Sequence, residues 1–172
     1  PVVQAGDPET YCNQAPVQNF AGTFTPPNGT WSGPGITNAA GLFNPNSLTQ
    51  GIHVCTLSVT TNGCTQTDTK TITITPTVVA NAGLDTLALC SYKKTHTMVG
   101  FTPPLETFGK WTSKPLASLI QPGGTLNFDT INEGSHTLYY TYEKDKCKTV
   151  DSVKLTIIKA RVARSGPSLE VC

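Results

Sequence analysis

Apolar and polar residues alternate most regularly in two long stretches. In the first, His53, Cys55, Leu57 and Val59 alternate with Val54, Thr56, Ser58 and Thr60; Thr61-Asn62-Gly63 follows, and residues 64–75 return with Ile72 and Ile74 spaced by two. Side chains two apart share one face of a strand, so this pattern predicts a hairpin buried on one side. Asn-Gly between two such runs is a strong signal for a tight two-residue turn. In the second stretch Leu138, Tyr140 and Tyr142 stand where the first has Cys55, Leu57 and Val59, and Val153, Leu155 and Ile157 line the returning strand. Shorter elements precede each hairpin. Residues 2–11 read as a first strand ending at Cys12, residues 17–24 as a second closed by Pro26-Pro27-Asn28-Gly29, and a third carries Trp31. The connection through Gly33-Pro34-Gly35 and Phe43-Asn44-Pro45 has room for one or two short strands.

The two hairpins close two copies of one module. Phe24-Thr25-Pro26-Pro27 returns as Phe101-Thr102-Pro103-Pro104 at an offset of 77, and Gly29-Thr30-Trp31 as Gly109-Lys110-Trp111 at 80. Gly51-Ile52-His53 returns as Gly134-Ser135-His136 and Cys64 as Cys147, both at 83. An offset that only grows is what loop insertions in a second copy produce, and a period near 80 residues divides the chain into modules at 1–76 and 77–159. A third opening, Ser165-Gly166 through Cys172, matches Ala5-Gly6 through Cys12 and Ala82-Gly83 through Cys90. Residues 160–172 are therefore expected to begin another copy within a longer protein. Thr75-Pro76-Thr77-Val78-Val79 is too short for a flexible tether, and Pro76 stiffens it, so the modules are expected to stand end to end.

Composition agrees with strands and turns. The 172 residues include 28 Thr, 15 Gly, 13 Pro and one Met, a balance that favours pleated strands over helices. Net charge is +1 with 13% charged residues, which leaves no basic footprint for nucleic acid and no polybasic membrane patch. No apolar run is long enough to span a membrane as a helix.

About seven short strands per module, a Trp in the third and a Cys near each end describe an all-β fold of two tandem immunoglobulin-like β-sandwiches. The order Ala-Gly to Cys, Gly-x-Trp, Gly-x-His with an alternating strand, Asn-Gly-Cys and a Thr-rich closing strand resembles the Ig-like repeats of giant cell-surface and gliding-motility adhesins of Bacteroidota. The resemblance covers the whole chain. In the second copy Glu143-Lys144-Asp145-Lys146 replaces the Asn-Gly turn. The Trp-x-Phe-Gly-Asp-Gly signature of polycystic-kidney-disease-type domains is absent, since Trp31 leads into Ser32-Gly33-Pro34-Gly35. The resemblance implies export by a type IX secretion system to the outer-membrane surface. It also implies partners among adjacent repeats, surface glycans or proteins, and the secretion or motility machinery.

Six cysteines at module period suggest disulfides in an oxidising compartment. The repeat favours Cys12 with Cys64 and Cys90 with Cys147, each tying a first strand to the start of a last one; Cys172 then lacks its mate. Cys55 aligns with Leu138 and reads as a buried thiol. Zinc is disfavoured, because no Cys-x-x-Cys pair occurs. His53 and His136 occupy equivalent places with no catalytic constellation around them, and no nucleophile elbow is present. Asp7, Asp68, Asp85 and Asp151 lie near module ends, where some modular adhesins bind calcium, but no dense acidic cluster supplies six or more oxygens; solvated surface residues are the favoured reading, and no cofactor is implied. Trp31 and Trp111 could stack on a sugar if exposed, although matched positions point to the core. Thr86, Thr130 and Ser152 follow aspartates in the Asp-Ser/Thr-apolar pattern that the resembling family glycosylates. Asn28-Gly29-Thr30 also fits the eukaryotic N-glycan acceptor pattern.

The expected function is that of non-catalytic spacer modules in a long secreted adhesin serving adhesion or gliding. Its rivals are a carbohydrate- or protein-binding module and an accessory domain of a secreted hydrolase.

Overall fold

The computed structural model describes residues 3–20, 29–91, 94–105, 108–114 and 119–159. Among the described residues there is no α-helix; short 3-10 turns occur at Pro45–Ser47 and Phe128–Thr130. Two compact units form, one of Pro1–Val79 with Glu143–Thr149, the other of Ala80–Tyr142 with Val150–Cys172.

In the first unit β1 (Glu9–Cys12), β6 (Cys64–Thr75), β5 (Gly51–Thr61) and β3 (Thr30–Ser32) make one sheet in that order, and β2 (Gln18–Asn19) pairs with β4 (Leu42–Phe43) in another. The second unit repeats the plan with β7 (Thr86–Cys90), β12 (Cys147–Ile158), β11 (Gly134–Lys144) and β9 (Gly109–Lys114), and with β8 (Thr95–Thr97) against β10 (Thr125–Asn127). Each is an immunoglobulin-like β-sandwich. The first strand is shorter than the alternation predicts: Gly6 holds a φ of 83° and Pro8 has no N–H to give, so pairing begins only at Glu9. The Pro26-Pro27 turn and the opening at 165–172 lie outside the described residues.

Both long hairpins close in two residues. Asn62 and Gly63 have φ of 52° and 77°, and Asp145 and Lys146 have 49° and 64°. Two central residues at positive φ match the right-handed twist of the flanking strands. Asp tolerates that region much as Asn does, whereas Lys146 holds it at a cost in backbone strain.

The inward residues of the hairpins form the cores. Cys55, Leu57, Val59, Ile72 and Ile74 are buried in the first, and Leu138, Tyr140, Tyr142, Val153, Leu155 and Ile157 in the second. Trp31 and Trp111 are also buried, which removes them as exposed sugar platforms. Trp31 meets the Phe20 ring at 5.1 Å, and Trp111 meets Tyr140 at 5.2 Å and Phe101 at 5.6 Å. The Gly-x-Trp motif has a packing reason. A Cβ on Gly29 would strike the Leu57 side chain, and one on Gly109 the Tyr140 hydroxyl that donates to the Pro103 carbonyl.

The first strand of each unit runs parallel to the last. Glu9 lies opposite Ile72 and Cys12 opposite Thr75; Leu87 lies opposite Leu155 and Cys90 opposite Ile158. This register overturns the expected disulfides. Cys64 opens the 12-residue β6 and Cys12 sits against its final residue, so the two are about 35 Å apart along the strand. The same geometry separates Cys90 from Cys147 on the 12-residue β12. Disulfide Cα atoms lie within about 7 Å. The bond that forms is Cys12–Cys147, with Cα atoms 5.9 Å apart, and Cys64 and Cys90 are thiols.

Gly41 and Gly124 pack on the two tryptophans at φ of 95° and 83°, where a Cβ would lie 2.6 Å from Trp31 Cδ1 and 3.0 Å from Trp111 Cδ1. Gly41→Ala or Gly124→Ala is therefore expected to lower the stability of its own unit by about 3 kcal/mol. Urea unfolding followed by tryptophan fluorescence checks this. An unchanged midpoint would contradict the packing described.

Candidate functional site

The densest polar chemistry among the described residues surrounds the Cys12–Cys147 bond, within the first unit. It starts with an inward lysine. Lys70 shares the register of Ile72 and Ile74 on β6, so its side chain enters the sandwich and is 2% exposed. A buried ammonium needs partners. Lys70 Nζ donates to the Asp7 carbonyl at 2.6 Å, pairs with Glu9 Oε1 at 2.8 Å, and lies 5.5 Å from the centre of the Phe20 ring.

Glu9 is the hub. Its other oxygen accepts from the Tyr11 hydroxyl at 2.6 Å and pairs with Lys146, whose ammonium stands 4.2 Å over the Tyr11 ring. The strained φ of Lys146 thus serves a contact, because it is the last turn residue before Cys147. The Glu143–Thr149 segment is held further by backbone and hydroxyl groups. Cys12 N–H donates to the Asp145 carbonyl at 2.8 Å, and the Thr75 hydroxyl donates to the Asp145 carboxylate at 2.8 Å. Thr149 Oγ1 donates to the Val78 carbonyl at 2.9 Å, while Asn13 Oδ1 accepts from both the N–H and the hydroxyl of Thr77.

Partial burial works against ionising Glu9, but hydrogen bonds from Lys146, Lys70 and Tyr11 outweigh it and bring the carboxyl from 4.5 to about 2. Burial, and then the Glu9 carboxylate it donates to, push the Tyr11 phenol well up. Burial also raises the Cys55 thiol, which donates to the Pro34 carbonyl. These groups are saturated by one another. Among the described residues no group of three or more His, Cys, Asp or Glu is disposed to hold a metal.

His53, His136, Asp68 and Asp151 make bonds that serve the fold. His53 Nε2 lies 2.8 Å from the Thr49 carbonyl and His136 Nε2 3.0 Å from the Asn132 carbonyl, each four residues back. Asp68 accepts from the Ala5 N–H and Asp151 from the Ala82 N–H, so both pin the opening of their module. The bonds from the Ala5 and Thr69 backbone N–H groups hold the Asp68 carboxyl below its usual range. Thr86 and Ser152 are exposed, whereas the Thr130 side chain lies outside the described residues. Sequence reasoning missed the Glu9–Lys70–Lys146 cluster. Its one signal was Lys70 itself, a charge in the inward register of an alternating strand.

No protein-family model matches the chain, and no curated protein sequence matches it. Among solved structures it is similar to the fibronectin(III)-like modules of Clostridium thermocellum CbhA, at 10% identity over 97% of this chain and 98% of that one, with a TM-score of 0.46. It is also similar to an I-band fragment of titin, at 11% identity over 92% of this chain and 65% of that one, TM-score 0.40. A third is a SusE-like surface-located polysaccharide-binding protein of Bacteroides thetaiotaomicron, at 12% identity over 91% of this chain, TM-score 0.38. The chain spans about a third of that protein's length, 34%.

The Glu9 shift makes stability depend on pH. With the folded value depressed, the contribution is present above about 4.5 and is lost as pH falls from 4.5 toward 2. After allowance for the solvent that reaches Lys146, the loss is about 2 kcal/mol. Glu9→Gln should flatten that part of the profile and lower stability at neutral pH, where Lys70 loses its counter-ion. Urea midpoints between pH 2 and 7 check both; parallel profiles for the two proteins would contradict the pairing.

Proposed function

We propose that this chain is a non-catalytic spacer segment of a secreted surface protein, built to carry tension. The observation that carries this reading is the covalent path. The Cys12–Cys147 bond closes a loop across a sequence separation of 135 residues, so a pull applied to the two ends of the chain passes through the bond rather than through the strands between. A disulfide also fits an oxidising, extracellular setting. In the chain-entropy account, closing a loop of this length stabilises the fold by about 5 kcal/mol. The saturated Glu9 cluster supports the same reading, since its polar groups are spent on fixing the turn rather than offered to a ligand. Adhesion or gliding at an outer-membrane surface is the setting that the sequence resemblance adds. Thr86, Thr130 and Ser152 are the proposed positions of sugar there, and peptide masses from the native host would carry the added hexoses.

Single-molecule stretching tests the role. The oxidised chain should lengthen only through residues outside the loop, and reduction should release about 460 Å more contour. Equal extension in both states would refute a tension-carrying bond. Saturable binding on a glycan array, lost on loop substitution, would instead favour a ligand-binding module.

A further inference from the structure

We propose that Cys64 and Cys90 are halves of further bonds of the Cys12–Cys147 kind, each made with another module of this same repeat. The repeat contains two kinds of cysteine. Cys12 and Cys90 end the first strand of their units, opposite the last residue of the closing strand, at Thr75 and Ile158. Cys147 and Cys64 open the closing strand, directly after two turn residues at positive φ. The bond that exists joins one of each kind, a strand end of the first copy to a turn of the second. Among the described residues Cys64 and Cys90 are left, again one of each kind, and both are exposed thiols.

Burial gives an independent sign. Under the Glu143–Thr149 turn, Tyr11 and Cys12 are 1% and 2% exposed. At the matching places on β7, Leu89 packs on its core but is only half-buried and Cys90 is exposed, so this strand end is less covered than that of β1. Charge supplies the match. The turn carrying Cys147 brings Lys146 onto Glu9, whereas β7 has Leu87 and Leu89 where β1 has Glu9 and Tyr11. The turn before Cys64 is Asn62-Gly63, which brings no charge onto those leucines. A turn of the Cys64 type therefore fits the Cys90 strand end. Each new bond removes two protons and two electrons from a pair of thiols and passes them to a disulfide oxidant such as oxidised glutathione, which becomes two thiols. Joining a strand end to a turn is a head-to-tail contact, so it propagates along a series of modules rather than closing a pair. Such bonds follow from the repeat and the Cys12–Cys147 bond, whether the modules act as spacers or bind a ligand.

Two variants of the full chain test it, both with Cys172→Ser, because Cys172 matches Cys12 and Cys90 in the sequence repeat. One adds Cys64→Ser and keeps Cys90; the other adds Cys90→Ser and keeps Cys64. Each is equilibrated alone and then mixed with the other in a glutathione redox buffer, and the products are read on non-reducing gels and by peptide mapping. The expected result is a covalent heterodimer in the mixture, linked Cys90 to Cys64, with both single samples remaining monomeric. A mixture that stays monomeric, or Cys90–Cys90 and Cys64–Cys64 homodimers formed as readily as the heterodimer, would overturn the proposal. Because Cys64 and Cys90 are exposed, replacing either one leaves the described cores intact.

Discussion

Parallel pairing of the first strand with the last decides where the cysteines of this repeat can reach. With Cys12 against Thr75, the end of β1 lies beside the end of β6, as far from Cys64 as the sheet allows. A module arranged in this way cannot close on itself through its own two cysteines. It can bond only to a turn that comes from elsewhere in the chain, and the turn that arrives belongs to the second copy, at Cys147. Had β1 run antiparallel to β6, the two cysteines of one copy would have been neighbours and each unit would have been sealed alone.

The polar residues around the bond follow from the same constraint. A turn that must sit against β1 brings a backbone in need of partners, and Cys12, Asp145, Thr75 and Thr149 supply them. It also brings Lys146, whose charge is matched by a carboxylate already held by the buried Lys70. A carboxylate between two ammonium groups stays ionised; it neutralises the buried Lys70, while Lys146 keeps its charge partly in solvent. The second unit has Leu87 at the Glu9 position and Val153 on its closing strand near Leu155, and no such pair occurs there among the described residues. Among the described residues the polar device thus occurs on β1, where a turn is docked, and not on β7.

Much of the fold was legible in the sequence, for identifiable reasons. The long hairpins declare themselves because burial on one face forces alternation with period two, and Asn62-Gly63 is a turn that few other conformations favour. Glu143-Lys144-Asp145-Lys146 hid the same turn, since a lysine at positive φ is uncommon and is tolerated here through its contact with Glu9 and Tyr11. Strand direction was not legible. Alternation is identical for parallel and antiparallel neighbours, so nothing in the pattern of residues 2–12 distinguished an end near Cys64 from an end near Thr75, and the cysteine pairing inferred from it was wrong. The cluster around Glu9 depends on that same direction and was out of reach for the same reason, apart from the inward Lys70.

The central claim, that direction rather than repeat symmetry chooses the disulfide, is tested most directly by peptide mapping of the unreduced protein after thiol alkylation at low pH. The account predicts a cross-linked peptide joining Cys12 to Cys147, with Cys64 and Cys90 recovered as alkylated thiols. Recovery of Cys12 joined to Cys64 and Cys90 joined to Cys147 would contradict it, and with it the parallel register of β1 on β6.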